Sequence, residues 1–204
     1  METHCACENI IHAGAAMKQA QVLSEKDVKR VLAAIARRGT SARDRAMFQL
    51  SYLAGMRVGE IAALRFCDVY EADGRVKAQI RLDKSQTKGG EARTVLLNAQ
   101  AQAELIAYKR GLERSGQEPL FVSRYGNAMS ANSLVQVFGR FYRQAGLSDA
   151  SSHSGRRSFI TTLSAKGVSV RVLAELAGHK SISTTQRYIE VGEHQLRAAV
   201  ELIL

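Results

Sequence analysis

The stretch Gly178–Gly192, "GHKSISTTQRYIEVG", sets a histidine and a tyrosine, His179 and Tyr188, on either side of a run of Ser and Thr. That run reads as a polar connection and helix cap, because Ser and Thr hydroxyls satisfy the free N–H groups at a helix start. Taken alone, Tyr188 reads as a core or interface aromatic whose hydroxyl finds a partner. Whether it is instead a nucleophile depends on what the rest of the chain supplies.

Immediately upstream, Ser169 caps "VRVLAELA", and Gly167 ends a helix running through Phe159 and Leu163. Downstream, a further helix or two cover Ser181 to Leu204. Two more helices pass through Leu105 and Tyr108 and, after a Ser130 cap, through Leu134, Val137, Phe138 and Phe141. At the other end, Ser24, Glu25 and Asp27 open a helix carried on by Val28, Val31, Leu32 and Ile35 until Gly39. Ser41 then caps a second helix through Met47, Leu50 and Leu53, ended by Gly55, and "VGEIAALRF" makes a short third with Ile61 and Leu64 on one face.

Between Asp73 and Asn98 the period switches from helical to alternating. Val76, Ala78, Ile80 and Leu82 share one side; after "TKGGEA" the matching set is Thr94 and Leu96, or Val95 and Leu97. This predicts a small antiparallel sheet whose hairpin turn contains Gly89 and Gly90. The fold class is therefore mainly α with a small antiparallel β-sheet (α+β). Residues 1–20 show no sustained period and read as a loosely ordered N-terminal segment in which Met17 is a second candidate start, leaving 21–204 as one domain.

A length of 204 residues suits one domain with a real core. Lys and Arg number 29 against 19 Asp and Glu, a formal charge of +10, which favours a polyanionic partner such as nucleic acid over a merely basic soluble protein. Three cysteines, two of them in the first seven residues, make no disulfide framework and point to a reducing cytoplasm. No apolar run approaches the roughly 18 residues of a membrane span, and the N-terminus lacks the order of a signal peptide. "HCAC" with His12 lacks a second pair at zinc spacing, so no metal is expected there, and no P-loop is present.

Four places combine reactive residue types with Gly or cap contexts: "GMRVGE" with Arg57 and Glu60, "TKGGEAR" with Lys88, "HSGRRS" with His153 and Arg156, and "GHKSISTTQRY" with His179 and Tyr188. Singly each has an ordinary structural reading: a surface ion pair, a polar turn, a helix-face pair, a core aromatic. Together they hold what attack on a phosphodiester needs without a metal: cations for the phosphate oxygens, proton donors and a nucleophile. Arginine suits the phosphate because its planar fork donates paired, charge-assisted hydrogen bonds. A tyrosine needs such company, since at a free pKa of about 10 only roughly one phenol in a thousand is ionised at neutral pH.

The order Arg, Lys, His-x-x-Arg, His, Tyr, closing in "GHKSISTTQRYI", resembles the tyrosine recombinases, also called the phage integrase family, from about Leu23 to at least Ile189. The resemblance implies that family's catalytic-domain fold and a DNA strand-exchange activity of the integrase, invertase or resolvase type, with no cofactor. Tyr188 would attack the scissile phosphate to give a 3′-phosphotyrosyl link and a free 5′-hydroxyl. Arg57 and Arg156 would hold the non-bridging oxygens, Lys88 would protonate the departing 5′-oxygen, and His179 would hydrogen-bond the phosphate. His153 would assist proton movement at the tyrosine, and Glu60 would orient the arginines.

The resemblance also implies double-stranded DNA as partner, a tetramer on DNA from monomers or weak oligomers in solution, and a cytoplasmic, nucleoid-associated setting. Residues 193–204, with Leu196, Ala199, Val200 and Ile203 on one stripe, would be either a helix packed on its own domain or one docked on a neighbouring protomer. Three departures stand out. The usual "H-x-L-R-H" is "HSGRR" here, with Gly155 for leucine and Arg157 for histidine; Gly155 is expected to loosen the helix start by about 1 kcal/mol. Lys84 competes with Lys88 as the acid. About twenty unpatterned residues cannot form the family's N-terminal DNA-clamping domain, as in the short members that invert a fimbrial promoter, so weaker DNA affinity and an accessory DNA-bending protein are expected. Rival functions are a sequence-specific DNA-binding regulator on the same fold and a type IB topoisomerase.

Overall fold

Ser24 starts the first helix as its spacing predicts: its hydroxyl accepts from the Asp27 N–H while the Asp27 carboxylate accepts from the Ser24 N–H. The computed structural model describes residues 19–110, 112–189 and 193–203; residues 1–18, and with them the "HCAC" segment, His12 and Met17, lie outside the described part. In chain order the elements are α1 (Glu25–Ala36), α2 (Ser41–Leu53), α3 (Val58–Ala62), α4 (Phe66–Val69), β1 (Gln79–Leu82) and β2 (Arg93–Leu96). Six helices follow: α5 (Ala99–Lys109), α6 (Ala131–Gln144), α7 (Ser154–Ala165), α8 (Val170–Ala177), α9 (Ile182–Gln186) and α10 (Glu193–Val200).

The core is built on α2, whose Met47, Phe48 and Leu50 are buried between α5 on one side and α7 on the other. Phe138, Phe141 and Tyr142 of α6 and Phe121 complete it. The two strands pair antiparallel with Ile80 opposite Val95 and Leu82 opposite Arg93, so Val95 and Leu97 take the inner side while Leu96 is exposed. That resolves the choice of strand face left open by alternation.

Several local expectations change. Thr40, not Ser41, stands before α2, and its hydroxyl goes to the buried Asp44, which also receives Arg38 and Arg43. A fully buried carboxylate demands cationic and hydroxyl donors, and that demand outweighs capping here. "VGEIAALRF" breaks into α3 and α4, because the Arg65 N–H turns to the Asp68 carboxylate and opens a new turn. The link between the strands is a long connection, residues 83–92, and not a tight turn: Asp83 caps a 3₁₀ turn over Lys84–Gln86 before the glycines are reached.

Gly155 has a packing reason as well as a propensity cost. A Cβ there would fall 2.7 Å from the Ser51 hydroxyl oxygen and 3.3 Å from the Ser51 carbonyl carbon, so α7 crosses α2 at a distance only glycine permits. Close approach replaces the side-chain contact that a leucine would make.

Candidate active site

Most side chains singled out from sequence are placed by an element end, while Glu60 lies within α3 and Lys88 in the connection between β1 and β2. Arg57 stands at the N-cap of α3 and His153 at that of α7; Arg156 sits in the first turn of α7, His179 just past α8, and Tyr188 just past α9. One cleft of about 940 Å³ is lined by Arg57, Lys88, Arg93 and His179 among others; Glu60, His153, Arg156 and Tyr188 are not among its lining residues, Glu60 meeting it through Arg57 and Arg93 and Tyr188 through His179.

The organising feature is the C-terminus of α8. Gly178, at φ +61°, lets the chain close in a Schellman turn in which the Gly178 N–H bonds the Glu175 carbonyl and the His179 N–H bonds that of Ala174. The next three carbonyls, which no intrahelical donor reaches, each receive a different guanidinium: Leu176 from Arg93 at 3.0 Å, Ala177 from Arg156, and Gly178 from Arg57 at 3.1 Å. The negative end of the helix dipole thus faces a cluster of three cations. Gly178 is needed twice over, since a Cβ would also fall 2.5 Å from Arg93 Cδ.

Beneath the cluster lies Glu60, 1% exposed, whose carboxylate takes Arg57 at 2.8 Å, Arg93 at 2.7 and 3.0 Å, and the Arg57 backbone N–H at 2.8 Å. Burial alone would raise this carboxyl, but the hydrogen bond and charge of Arg93, then those of Arg57, carry it below its ordinary value. Arg156, only 6% exposed, also donates to the Gly55 carbonyl. Burial, then the charges of Arg57 and Arg93, push its guanidinium down to about 9, so it is still a cation at neutral pH.

His179 is tied back by a 2.8 Å hydrogen bond between its Nδ1 and the buried Thr185 hydroxyl of α9. Burial, then Arg156, Arg57 and Arg93, bring its pKa down to about 4, so the free protein carries it neutral at pH 7. In the tautomer where Thr185 donates to Nδ1, the ring's remaining proton sits on Nε2 and can be given to an anion. The Tyr188 ring stacks on that imidazole at 5.9 Å between centroids and 21° between planes.

Lys88 and His153 are placed differently: both are exposed. His153 lies below the usual imidazole range through partial burial and then the charges of Arg156, Lys88 and Arg57, which sets Lys88 within electrostatic reach of the same centre. Lys84, at the start of the 3₁₀ turn, is not among the lining residues of the cleft, whereas Lys88 is. The Lys88 connection is fastened to the His179 side by a 2.8 Å ion pair between Glu91 and Lys180, both exposed.

The phage integrase family model matches residues 21–195. The chain belongs to the phage integrase family. Among curated relatives it is 34% identical over 185 residues to the tyrosine recombinase XerC of Myxococcus xanthus, covering 86% of this chain and 57% of that protein. It is 32% identical over 183 residues to the tyrosine recombinase XerA of Pyrococcus furiosus, covering 88% and 60%. The chain thus spans little more than half the length of these relatives. Its fold is that of the crystal structure of XerA recombinase, with a TM-score of 0.71 at 23% identity, covering 93% of this chain and 65% of that one. The catalytic domain of bacteriophage HP1 integrase matches with a TM-score of 0.62 at 20% identity, covering 91% and 96%.

Relative to the family motifs, sequence reasoning missed Arg93 and Thr185 as parts of this centre. Arg93 carried a legible signal: it shares the parity of Val95 and Leu97, so alternation puts an arginine on the buried side of the sheet, where it must meet a carboxylate. Thr185 carried none, being one of several hydroxyls in "SISTT".

Proposed function

We propose that this chain is a catalytic domain of a site-specific DNA recombinase that cleaves and rejoins double-stranded DNA through a 3′-phosphotyrosyl intermediate. The observation that carries this reading is the convergence of Arg57, Arg93 and Arg156 on consecutive carbonyls of α8, with His179 and Tyr188 beside them. Cations held so by neutral carbonyls and one carboxylate keep most of their charge available for a phosphate entering the cleft, which is the preorganisation phosphoryl transfer rewards.

In the reaction, Arg57 and Arg156 hold the non-bridging oxygens, and neutral His179 donates from Nε2 to one of them. Tyr188 attacks phosphorus as its proton leaves with the help of His153; Lys88 gives a proton to the 5′-oxygen as the P–O bond breaks. Glu60 holds Arg57 and Arg93 in register. The phosphotyrosyl bond conserves the phosphodiester's free energy, so a 5′-hydroxyl from a second strand reverses the step without ATP or a metal. The same reading makes the working assembly a tetramer on DNA. Leu196, Val200 and Ile203, which are 58%, 65% and 83% exposed, favour docking of α10 and the following turn on a neighbouring protomer over packing on their own domain.

The test is incubation with nicked suicide duplexes drawn from the DNA flanking the gene. A covalent protein–DNA adduct that vanishes in Tyr188→Phe is expected. Sequence-specific binding with no adduct on any duplex would replace this reading with that of a DNA-binding regulator.

A further inference from the structure

Arg157 follows the buried Arg156 on α7 and lies roughly 100° round the helix from it. Its guanidinium carbon stands 5.5 Å from the centroid of the Tyr188 ring. Its Nε is buried without a hydrogen-bond partner. One turn further along α7, the Thr161 hydroxyl donates to the Tyr188 backbone carbonyl at 3.4 Å. Residues four apart share a helix face, so Arg157 and Thr161 form a two-point bed for the tyrosine, one point under the ring and one under its backbone. On its other contact the ring stacks on His179, itself anchored through Thr185.

A guanidinium with a buried, unpaired N–H is disfavoured unless something offsets it, and the electron-rich face of a tyrosine ring is the group placed to do so. The pairing serves the ring as well as the cation. Tyr188 follows a helix of only five residues, Ile182–Gln186, so its own element offers few contacts to fix the ring. We propose that Arg157 is a positioning residue that holds the Tyr188 ring against His179 before DNA arrives, so that the nucleophile is already docked beside the phosphate-binding cations. In the family resemblance a histidine is common at this place; the longer, permanently charged arginine gives this chain a cation–π clamp on its nucleophile.

The inference rests on Tyr188 being the nucleophile, and the test separates the two ideas. With 3-fluorotyrosine at position 188 of the full chain, free of DNA, Arg157→Met is expected to move the fluorine resonance toward that of solvent-exposed fluorotyrosine, and Arg157→Lys to move it less. On a suicide duplex at saturating concentration, Arg157→Met should slow adduct formation about tenfold, the scale of a partly buried cation–π contact, while Kd for the duplex changes by less than about threefold. Thr161→Val should act in the same direction more weakly and serves if Arg157→Met does not fold. An unmoved resonance in Arg157→Met overturns the proposal, as does a defect confined to Kd, which would make Arg157 a DNA-phosphate contact. A moved resonance in a protein that forms no adduct even with Arg157 intact would sink the catalytic reading alone.

Discussion

The two sides of the cleft are built on opposite plans. On the α8 side, Arg57, Arg93, Arg156 and Glu60 are partly or wholly buried, and each guanidinium is held by at least two protein groups. On the other side, Lys88 rides on the long connection between β1 and β2; His153, at the exposed start of α7 and outside the cleft lining, shares its exposure. Under the proposed function, the difference matches what each side would have to do. Stabilising charge on a phosphate requires dipoles and cations that do not reorganise during the reaction, so they are fixed by folding itself. Proton transfer to a leaving oxygen requires a group that can approach, give up its proton and recover it from water, which an exposed loop allows.

If that contrast is real, mutations on the two sides should fail differently. Arg156→Ala or Arg57→Ala is expected to slow adduct formation by roughly three orders of magnitude, measured in single turnover; near-normal rates would remove them from the phosphate site. Glu60→Gln should destabilise the fold by about 3 kcal/mol in urea denaturation, because Arg93, 10% exposed, loses its counter-charge. A loss below about 1 kcal/mol would show that the α8 carbonyls suffice to hold the cluster.

Lys88→Ala should give the converse result: cleavage slowed by about a hundredfold, with stability within about 0.5 kcal/mol. Lys84→Ala should leave both unchanged, and equal defects in the two variants would undo the choice between them. The smallest effect concerns pH. His179 takes a proton at about 6.5 when unfolded but only at about 4 when folded. The unfolded chain therefore binds the extra proton in this window, and stability should decline as pH falls from 6.5 to 4, by about 1–2 kcal/mol after allowance for the ring's partial exposure. Thermal melts of His179→Gln should lack this part of the slope; identical slopes would show that the imidazole is not shielded as described.

Much of the architecture was legible because it depends on local chemistry. The caps at Ser24, Ser130 and Ser169 accept N–H bonds from Asp27, Ser133 and Val172, as short-range spacing predicts. The change of period after Asp73 located the sheet. Ser41 misled because Thr40 and Ser41 both carry hydroxyls at the helix start and spacing alone cannot tell which one stands before it; Thr40 does, and its hydroxyl is taken by the buried Asp44. Gly155 misled because propensity counts what a residue does to its own helix and not which neighbour lies against it. Motif order likewise named Arg57, Lys88, His153, Arg156, His179 and Tyr188, but could not rank them by burial or by partner.

By itself, then, the sequence determined the residue types, their order and the element ends on which they sit, since caps, glycines and hydrophobic period act over a few positions. Only the tertiary structure decided that three guanidiniums from α3, β2 and α7 share the end of α8, and that Arg157 lies against the Tyr188 ring. These pairings join residues far apart in the chain, such as Arg57 with Gly178. What settles them is the requirement that every buried charge and carbonyl find a partner, a condition on the packed whole that no local stretch can express.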